Sequence, residues 1–469
     1  MLTRRQLLRS SVVLGVGSQA VTRGTAPADA LFTAGRAPDQ RPNIVLVVAD
    51  DLGYGELGAY GQDKIKTPVL DRLSRQGLRF TQAYSAAPVC APSRCSLMTG
   101  LHTGHSRVRQ NPQAGFPGDL RQEDTTFAEI LQGVGYRTGL FGKWGFGPER
   151  PGASHPNARG FGEFYGYITH TAAHDYYPDH LWHNGQKVRL AGNTGARKGS
   201  FAPDLFRRRA ADFAREGGDE PFFLMYATNL PHAPGEAPSL GRYASKPWPR
   251  ADRAHAAQVT RLDTDLGTLL DSLPKARPTL VLVTSDNGPH EEQGFNPDRF
   301  DANGKFRGYK RNLYDGALRV PLIAWGPGLV RKGVTGRVTS QLDVFPTLAE
   351  LAGAGLPRPL DGVSIAGTLA GRGNAAPAGH LYWYRNEKSQ TRRANKTEGG
   401  SVTRLAEAVR QDEWKLIRYA PGRSRPASRR SWRVELFNMN NDPRESSNVA
   451  SKHPLVVNRL HRLADASWT

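Results

Sequence analysis

A chain of 469 residues, 38% hydrophobic and 9% aromatic, carries enough apolar side chain for a large core and a smaller one, which excludes a disordered protein. Its 63 basic residues against 43 acidic ones give a net charge of +20, which suits either an anionic ligand or a solvated basic surface. Two cysteines exclude a disulfide framework, and no apolar run beyond the first few dozen residues is long enough to cross a bilayer.

The N-terminus reads as an address. "TRRQLLRS" sets Arg4 and Arg5 in tandem before the short apolar run "SVVLGVGSQAV", and "ADA" at 28–30 offers small residues for cleavage. Residues 1–30 are therefore expected to be a twin-arginine export signal, leaving the working protein periplasmic or secreted. Next, "NIVLVVADD" (43–51) predicts a strand buried on both faces that ends in Asp50 and Asp51. Helical spacing follows over 68–77. In "VCAPSRCSLMTG" (89–100) both cysteines, Cys90 and Cys95, flank Pro92 and Arg94. Pro92 predicts a helix starting near Cys90, and a helix N-terminus is an anion site.

Helical spacing returns over 124–134, and "YRTGLFGKW" (136–144) predicts a strand ending at Lys143. "THTAAHDYYPDHLWHNG" (169–185) holds His170, His174, His180 and His183. "PFFLMYATNLPH" (221–232) predicts a strand ending in His232, and helical spacing covers roughly 255–273. "TLVLVTSDNG" (279–288) predicts a strand ending in Asp286 and Asn287, and "VPLIAWGPG" (320–328) a further core strand. Beyond the linker-like "AGRGNAAPAG" (370–379), "HLYWYR", "LAEAVRQDEWKLIRYA" and "RVELFNM" read as short antiparallel strands, and "HPLVVNRLHRLADAS" as a closing helix. The basic run "GRSRPASRRSWR" (422–433) reads first as a solvated loop and, as the alternative, as a set of arginines for further anionic groups on a polymer.

The expected architecture is α/β. A large, mostly parallel mixed sheet flanked by helices spans 41–369, and a smaller α+β domain with an antiparallel sheet spans 370–469. Ligands of open parallel sheets sit outside the carboxyl ends of the strands. Here those ends deliver three carboxylates and one amide oxygen, a set suited to Ca²⁺ or Mg²⁺. No spacing of the Cys₂His₂ type suggests a zinc site.

"CAPSR" followed by "SLMTG" resembles the Cys-x-Pro-x-Arg signature of the type I sulfatases, arylsulfatase-like members of the alkaline phosphatase-like superfamily. "RPNIVLVVADDLGYGELGAYG", "TPVLDRLSRQGLRFTQAYS", "FGKWG", "TSDNG", "GYKRNLYDGALRVPLIAWGPG" and "ELFNMNNDPRESSNVA" resemble further blocks of that family, in its order, along nearly the whole mature chain. The resemblance implies a sulfuric ester hydrolase. A generating enzyme, met transiently, would oxidise Cys90 to Cα-formylglycine. One hydroxyl of the hydrated aldehyde would attack the sulfur of a sulfate ester, and the second would expel sulfate from the covalent intermediate.

By the same resemblance Asp50, Asp51, Asp286 and Asn287 match calcium ligands, with Cys90 as a further one. Arg94 and Lys143 match groups that hold the hydroxyls and the sulfate. His232 matches the acid that protonates the leaving alcohol, and Lys310 the lysine on a sulfate oxygen beside it. Cys95 reads as a small residue packed inside a helix. One departure stands out: many sulfatases carry a histidine where this chain has Gly145. His174, among aromatic residues, is the candidate for a compensating or substrate-contacting role. The expected substrate is a sulfated small molecule or, better, a sulfated carbohydrate, with no nucleic-acid partner. Two other readings stay open: a phosphate or phosphonate ester hydrolase of the same superfamily, and a sulfated-glycan-binding protein without catalysis.

Overall fold

The structure is a computed structural model that describes residues 41–469 apart from 113–117, 196, 217, 374–377, 388–390 and 401–404. The expected export signal and part of the expected linker lie outside the described residues.

The first apolar run forms the strand Asn43–Ala49 in the middle of a ten-stranded sheet. It pairs in parallel with Phe222–Ala227 on one side and Thr279–Ser285 on the other. Its side chains alternate between two cores: Ile44, Leu46 and Val48 enter one, and Val45, Val47 and Ala49 the other. Burying each larger side chain contributes roughly 1.5–3 kcal/mol, and the one polar residue, Asn43 at the start, is satisfied by the Phe222 amide, which donates to its Oδ1 at 3.1 Å. Arg137–Lys143 and Glu163–Tyr167 extend the parallel part. The carboxyl ends of the Asn43–Ala49, Arg137–Lys143 and Thr279–Ser285 strands therefore emerge along one rim, carrying Asp50 and Asp51, Lys143, and Asp286.

The helices Cys90–Thr99, Phe127–Gly133 and Val344–Ala352 cover one face, and Pro68–Gln76, Ala202–Arg215 and Arg250–Asp271 the other. Phe127–Gly133 starts at a capping box in which Thr126 accepts from the Glu129 amide.

One expectation changes, and one strand gains a direction. The strand expected to reach His232 stops at Ala227. Pro231 and Pro234 lack the amide that a sheet ladder needs, and the chain turns so that the Leu230 carbonyl accepts from the Asp50 amide at 3.0 Å. The further core strand, Leu322–Trp325, runs antiparallel to Thr279–Ser285. An antiparallel hairpin, His180–His183 with Gln186–Arg189, closes the opposite edge.

A second sheet of four antiparallel strands, Leu381–Asn386, Leu405–Gln411, Trp414–Tyr419 and Arg433–Asn438, lies against the helix Pro454–Ala466 on one side. Its other side packs Trp383, Ile417 and Phe437 on Tyr84, Leu313, Tyr314 and Leu318. Fully buried Lys415 lies 2.8 Å from both Asp315 and Glu445, and Arg307 donates to the Glu445 carbonyl at 2.8 Å. The segment around Lys310 is thus held from the small sheet. In the basic run, Arg425, Arg429 and Arg433 pair with Glu407, Asp465 and Glu435.

Candidate active site

Asp50 and Asp51 diverge because Asp51 adopts φ 67°, left-handed backbone that a residue other than glycine occupies only when its surroundings fix it. Asp50 Oδ2 accepts from Lys143 Nζ at 2.7 Å, and its Oδ1 lies 3.3 Å from Cys90 Sγ. Asp51 Oδ2 accepts from Lys310 Nζ at 2.8 Å and lies 3.3 Å from His232 Nε2, while Asp51 Oδ1 accepts from Asn287 Nδ2 at 2.7 Å. Asp286 Oδ1 accepts the Asp51 amide at 3.1 Å, and its Oδ2 accepts from Arg94 Nε at 2.9 Å. Arg94 also donates to the Lys143 carbonyl at 2.8 Å.

Cys90 is the first residue of its helix and has no exposed surface. The turn is held from outside: the Ala91 amide donates to Asn111 Oδ1 at 3.1 Å, and the Arg311 amide donates to the Pro88 carbonyl at 2.9 Å. The second contact seats Lys310 beside the start of the helix. Cys95 lies in the core, as a small helix residue should.

All nine residues that sequence reasoning assigned to catalysis or metal binding are gathered here from six segments of the chain. His174 joins them by stacking on His232, rings 4.4 Å apart and 10° from parallel. His170 meets His174 edge-on, whereas His180 and His183 sit on the edge hairpin beside Glu149 and Glu163. Glu292 and Arg311 escaped the sequence reading. Glu292 lies 3.5 Å from Lys310 and 2.5 Å from Arg311. Its one signal was its place two residues beyond His290 in "NGPHEE".

The electrostatics follow from burial and neighbours. Burial alone would raise Asp50, but Lys143, His232 and Arg94 hold it well below the usual carboxylate range. Burial and Asp50 push Asp286 up to about 7, against the pull of Arg94. Burial would lower Lys143 and Lys310, yet Asp50 and Asp51 respectively keep both raised and charged. Burial, then Asp50, drives the Cys90 thiol well above its ordinary value, so as a thiol it is a poor nucleophile. Burial, then Lys310, lowers His232, and burial, then His232, lowers His174 to about 3.

A divalent cation fits the donor set. The carboxylates of Asp50, Asp51 and Asp286 converge, and the buried Asn287 Oδ1 has no hydrogen-bond partner among the described residues. A further group, Asp51, His290 and Glu292, has metal-ligand proximity. The Lys310 ammonium already stands 2.8 Å from Asp51 and 3.5 Å from Glu292, so that position carries its cation.

Gly145 has φ 96°, and a Cβ there would meet Arg94 Cδ at 2.9 Å. The guanidinium arm of Arg94 fills the space into which a side chain at 145 would grow.

Comparison with known proteins gives a consistent result. The family model described as Sulfatase matches residues 42–354, and the one described as N-sulphoglucosamine sulphohydrolase, C-terminal, matches 304–464. Human arylsulfatase A is 36% identical over 397 residues, 77% of this chain and 74% of that protein. N-acetylgalactosamine-6-O-sulfatase of Bacteroides thetaiotaomicron is 29% identical over 511 residues, 92% of this chain and 94% of that protein. The crystal structure of Ps i-CgsB in complex with k-i-k-neocarrahexaose superposes with a TM-score of 0.75 at 28% identity, over 91% of this chain and 93% of that one.

Proposed function

This chain belongs to the sulfatase family, and on that premise we propose that it is an exported hydrolase that cleaves a sulfate ester on a sulfated carbohydrate, with residue 90 in its oxidised form. One observation carries the reading: Arg94, Lys143, His232 and Lys310, all buried, converge with three carboxylates around the first turn of the helix that residue 90 begins. Cationic donors and a helix N-terminus aimed at one point are what a tetrahedral oxyanion needs.

Oxidised to Cα-formylglycine by a generating enzyme, residue 90 supplies a hydrated aldehyde whose hydroxyl is a nucleophile toward sulfur. Asp50, Asp51, Asp286 and Asn287, with residue 90, would hold Ca²⁺ or Mg²⁺, which when bound supplies positive charge to the sulfate oxygens and favours an ionised hydroxyl. Lys143 and Arg94 orient the hydroxyls at residue 90. Lys310 meets a sulfate oxygen. His232 Nδ1 faces the Ala233 carbonyl at 2.5 Å, which fixes the ring proton there and leaves Nε2 to accept from Lys310 Nζ at 3.0 Å. Once protonated, Nε2 is the atom that donates to the departing alcohol. His174, stacked on this ring, lines the side on which that alcohol leaves.

Support for a carbohydrate comes from relatives named for sulfated sugars, from the basic chain and from the twin-arginine pattern. The test is to purify the protein co-expressed with a formylglycine-generating enzyme. It is then screened against p-nitrophenyl sulfate, defined sulfated sugars and a phosphate ester, with peptide mass spectrometry on residue 90. Sulfate ester turnover with an aldehyde at 90 and an intact Cys95 thiol is expected. Preferred turnover of the phosphate ester, or full activity with an unmodified Cys90 thiol, overturns the reading. Binding of sulfated sugars without turnover of any ester would favour a non-catalytic glycan-binding protein.

A further inference from the structure

We propose that Glu292 is a positioning residue for Lys310: it takes over the Lys310 ammonium when Asp51 is engaged by a divalent cation, and so keeps that ammonium beside the sulfate. The proposal rests on the reading of the main site as one for a sulfate ester with a bound cation, and it adds what holds the lysine there.

Asp51 answers two demands. Its Oδ2 accepts from Lys310 Nζ at 2.8 Å, and with Asp50 and Cys90 it belongs to a group close enough together to hold a metal ion. A carboxylate oxygen that shares its charge with a divalent cation attracts the ammonium less, and the cation itself repels the ammonium. His232 Nε2 lies 3.0 Å from Lys310 Nζ, but an imidazole that accepts this bond is neutral and does not replace the lost charge. Glu292 Oε2, 3.5 Å from Nζ, belongs to the only other carboxylate that pairs with Lys310 among the described residues. That distance is longer than a hydrogen bond, as a reserve partner should be while Asp51 holds the ammonium.

The chain is shaped to bring this carboxylate to the lysine. Lys310 and Arg311 are neighbours, and in extended backbone the side chains of neighbours point to opposite sides. Arg311 instead adopts φ 82°, left-handed backbone that an arginine occupies only when its surroundings fix it. Its amide donates to the Pro88 carbonyl at 2.9 Å, and its carbonyl accepts from Arg385 Nη1 at 2.8 Å. With the turn so fixed, both cations reach one carboxylate. Arg311 Nη2 donates to Glu292 Oε1 at 2.5 Å, which leaves Oε2 for Lys310. The Glu292 amide donates to His290 Nδ1 at 3.0 Å, so its backbone is held as well. Lys310, more than Arg311, keeps the Glu292 carboxyl below the usual carboxylate range against its burial, so the group is charged. Arg311 thus fixes the carboxylate, and the carboxylate fixes the ammonium.

Calorimetric titration of metal-depleted protein, made with the formylglycine-generating enzyme, tests the role. Ca²⁺ and, in parallel, Mg²⁺ are titrated into the unaltered chain, Glu292→Gln, Lys310→Ala and the double variant. Without the Glu292 charge the ammonium stays on Asp51 and opposes the cation. The loss of cation affinity caused by Glu292→Gln should therefore be about tenfold larger with Lys310 present than in the Lys310→Ala background, within the usual coupling of residues in contact. Glu292→Asp, which keeps the charge, should bind the cation more tightly than Glu292→Gln, and this comparison stands by itself if the double variant does not fold. Equal losses in the two backgrounds would be the through-space effect of one negative charge and overturn the role. It is also overturned if Glu292→Asp binds no better than Glu292→Gln, or if the unaltered protein takes up neither ion. Turnover of p-nitrophenyl sulfate by the unaltered protein reports the sulfatase reading separately. Turnover without the coupling sinks the role of Glu292 alone, and the coupling without turnover sinks the hydrolase alone.

Discussion

Removing the divalent cation should make the stability of this protein depend on pH through Asp286. In the chain without a cation, burial and Asp50 push this carboxyl up to about 7, from 3.8 for the ordinary group. A raised carboxyl opposes folding once it ionises. Its penalty is absent below the unfolded value and grows to about 4 kcal/mol as pH rises through the folded one, at roughly 1.4 kcal/mol per unit. Between pH 5 and 8 about 2–3 kcal/mol of that change falls due. A bound cation cancels it by favouring the carboxylate. Asp50 and Asp51 are held low, so their stabilisation is lost only as pH falls below the ordinary carboxylate range, outside this window. Urea unfolding of metal-depleted and Ca²⁺-loaded protein at pH 5, 6.5 and 8 should therefore show a stability gap that widens with pH, and Asp286→Asn should flatten it. A gap of constant size, or an unchanged slope in Asp286→Asn, refutes the electrostatic account of the cluster.

Two further outcomes are expected. His232→Ala should cost 10²- to 10⁴-fold in kcat on sulfates of simple alcohols, the usual range for a general acid, and far less on p-nitrophenyl sulfate, whose leaving group needs no proton; equal losses on both substrates would remove that role. Gly145→His should lower stability by about 1–3 kcal/mol, because left-handed backbone and the close approach of Arg94 both resist a side chain there. It should also reduce kcat, and a rise in kcat with unchanged Tm would show that the position had been waiting for the histidine.

Much of the site was legible because its chemistry is written at the ends of continuous apolar runs. "NIVLVVADD" could only be a strand buried on both faces, and the acid pair that stops it marks the rim. The same logic located Lys143 and Asp286. It misled at His232, because the apolar run ends with the ladder at Ala227, and the polar Thr228 and Asn229 together with Pro231 mark where the chain has left the sheet. The hairpin at 180–189 was hidden because an edge strand with half-exposed, polar residues carries no apolar run. The direction of Leu322–Trp325 was beyond reach for another reason: burial on both faces looks alike in parallel and antiparallel neighbours.

The packing of the small sheet bears on how sequence changes in this protein should be interpreted. Lys415 lies on a strand of that sheet, but its charge is spent on Asp315, five residues beyond Lys310, and on Glu445, whose carbonyl anchors Arg307. The last quarter of the chain thus acts as a mould for a segment of the first three. A lesion at Lys415 or Glu445 would register first as misplacement of Lys310, lowering kcat in a protein that still folds, and would pass for damage to the catalytic centre. For the same reason the two sheets are poor candidates for exchange between relatives, since a C-terminal sheet borrowed without its matching 307–319 segment would bring the wrong template.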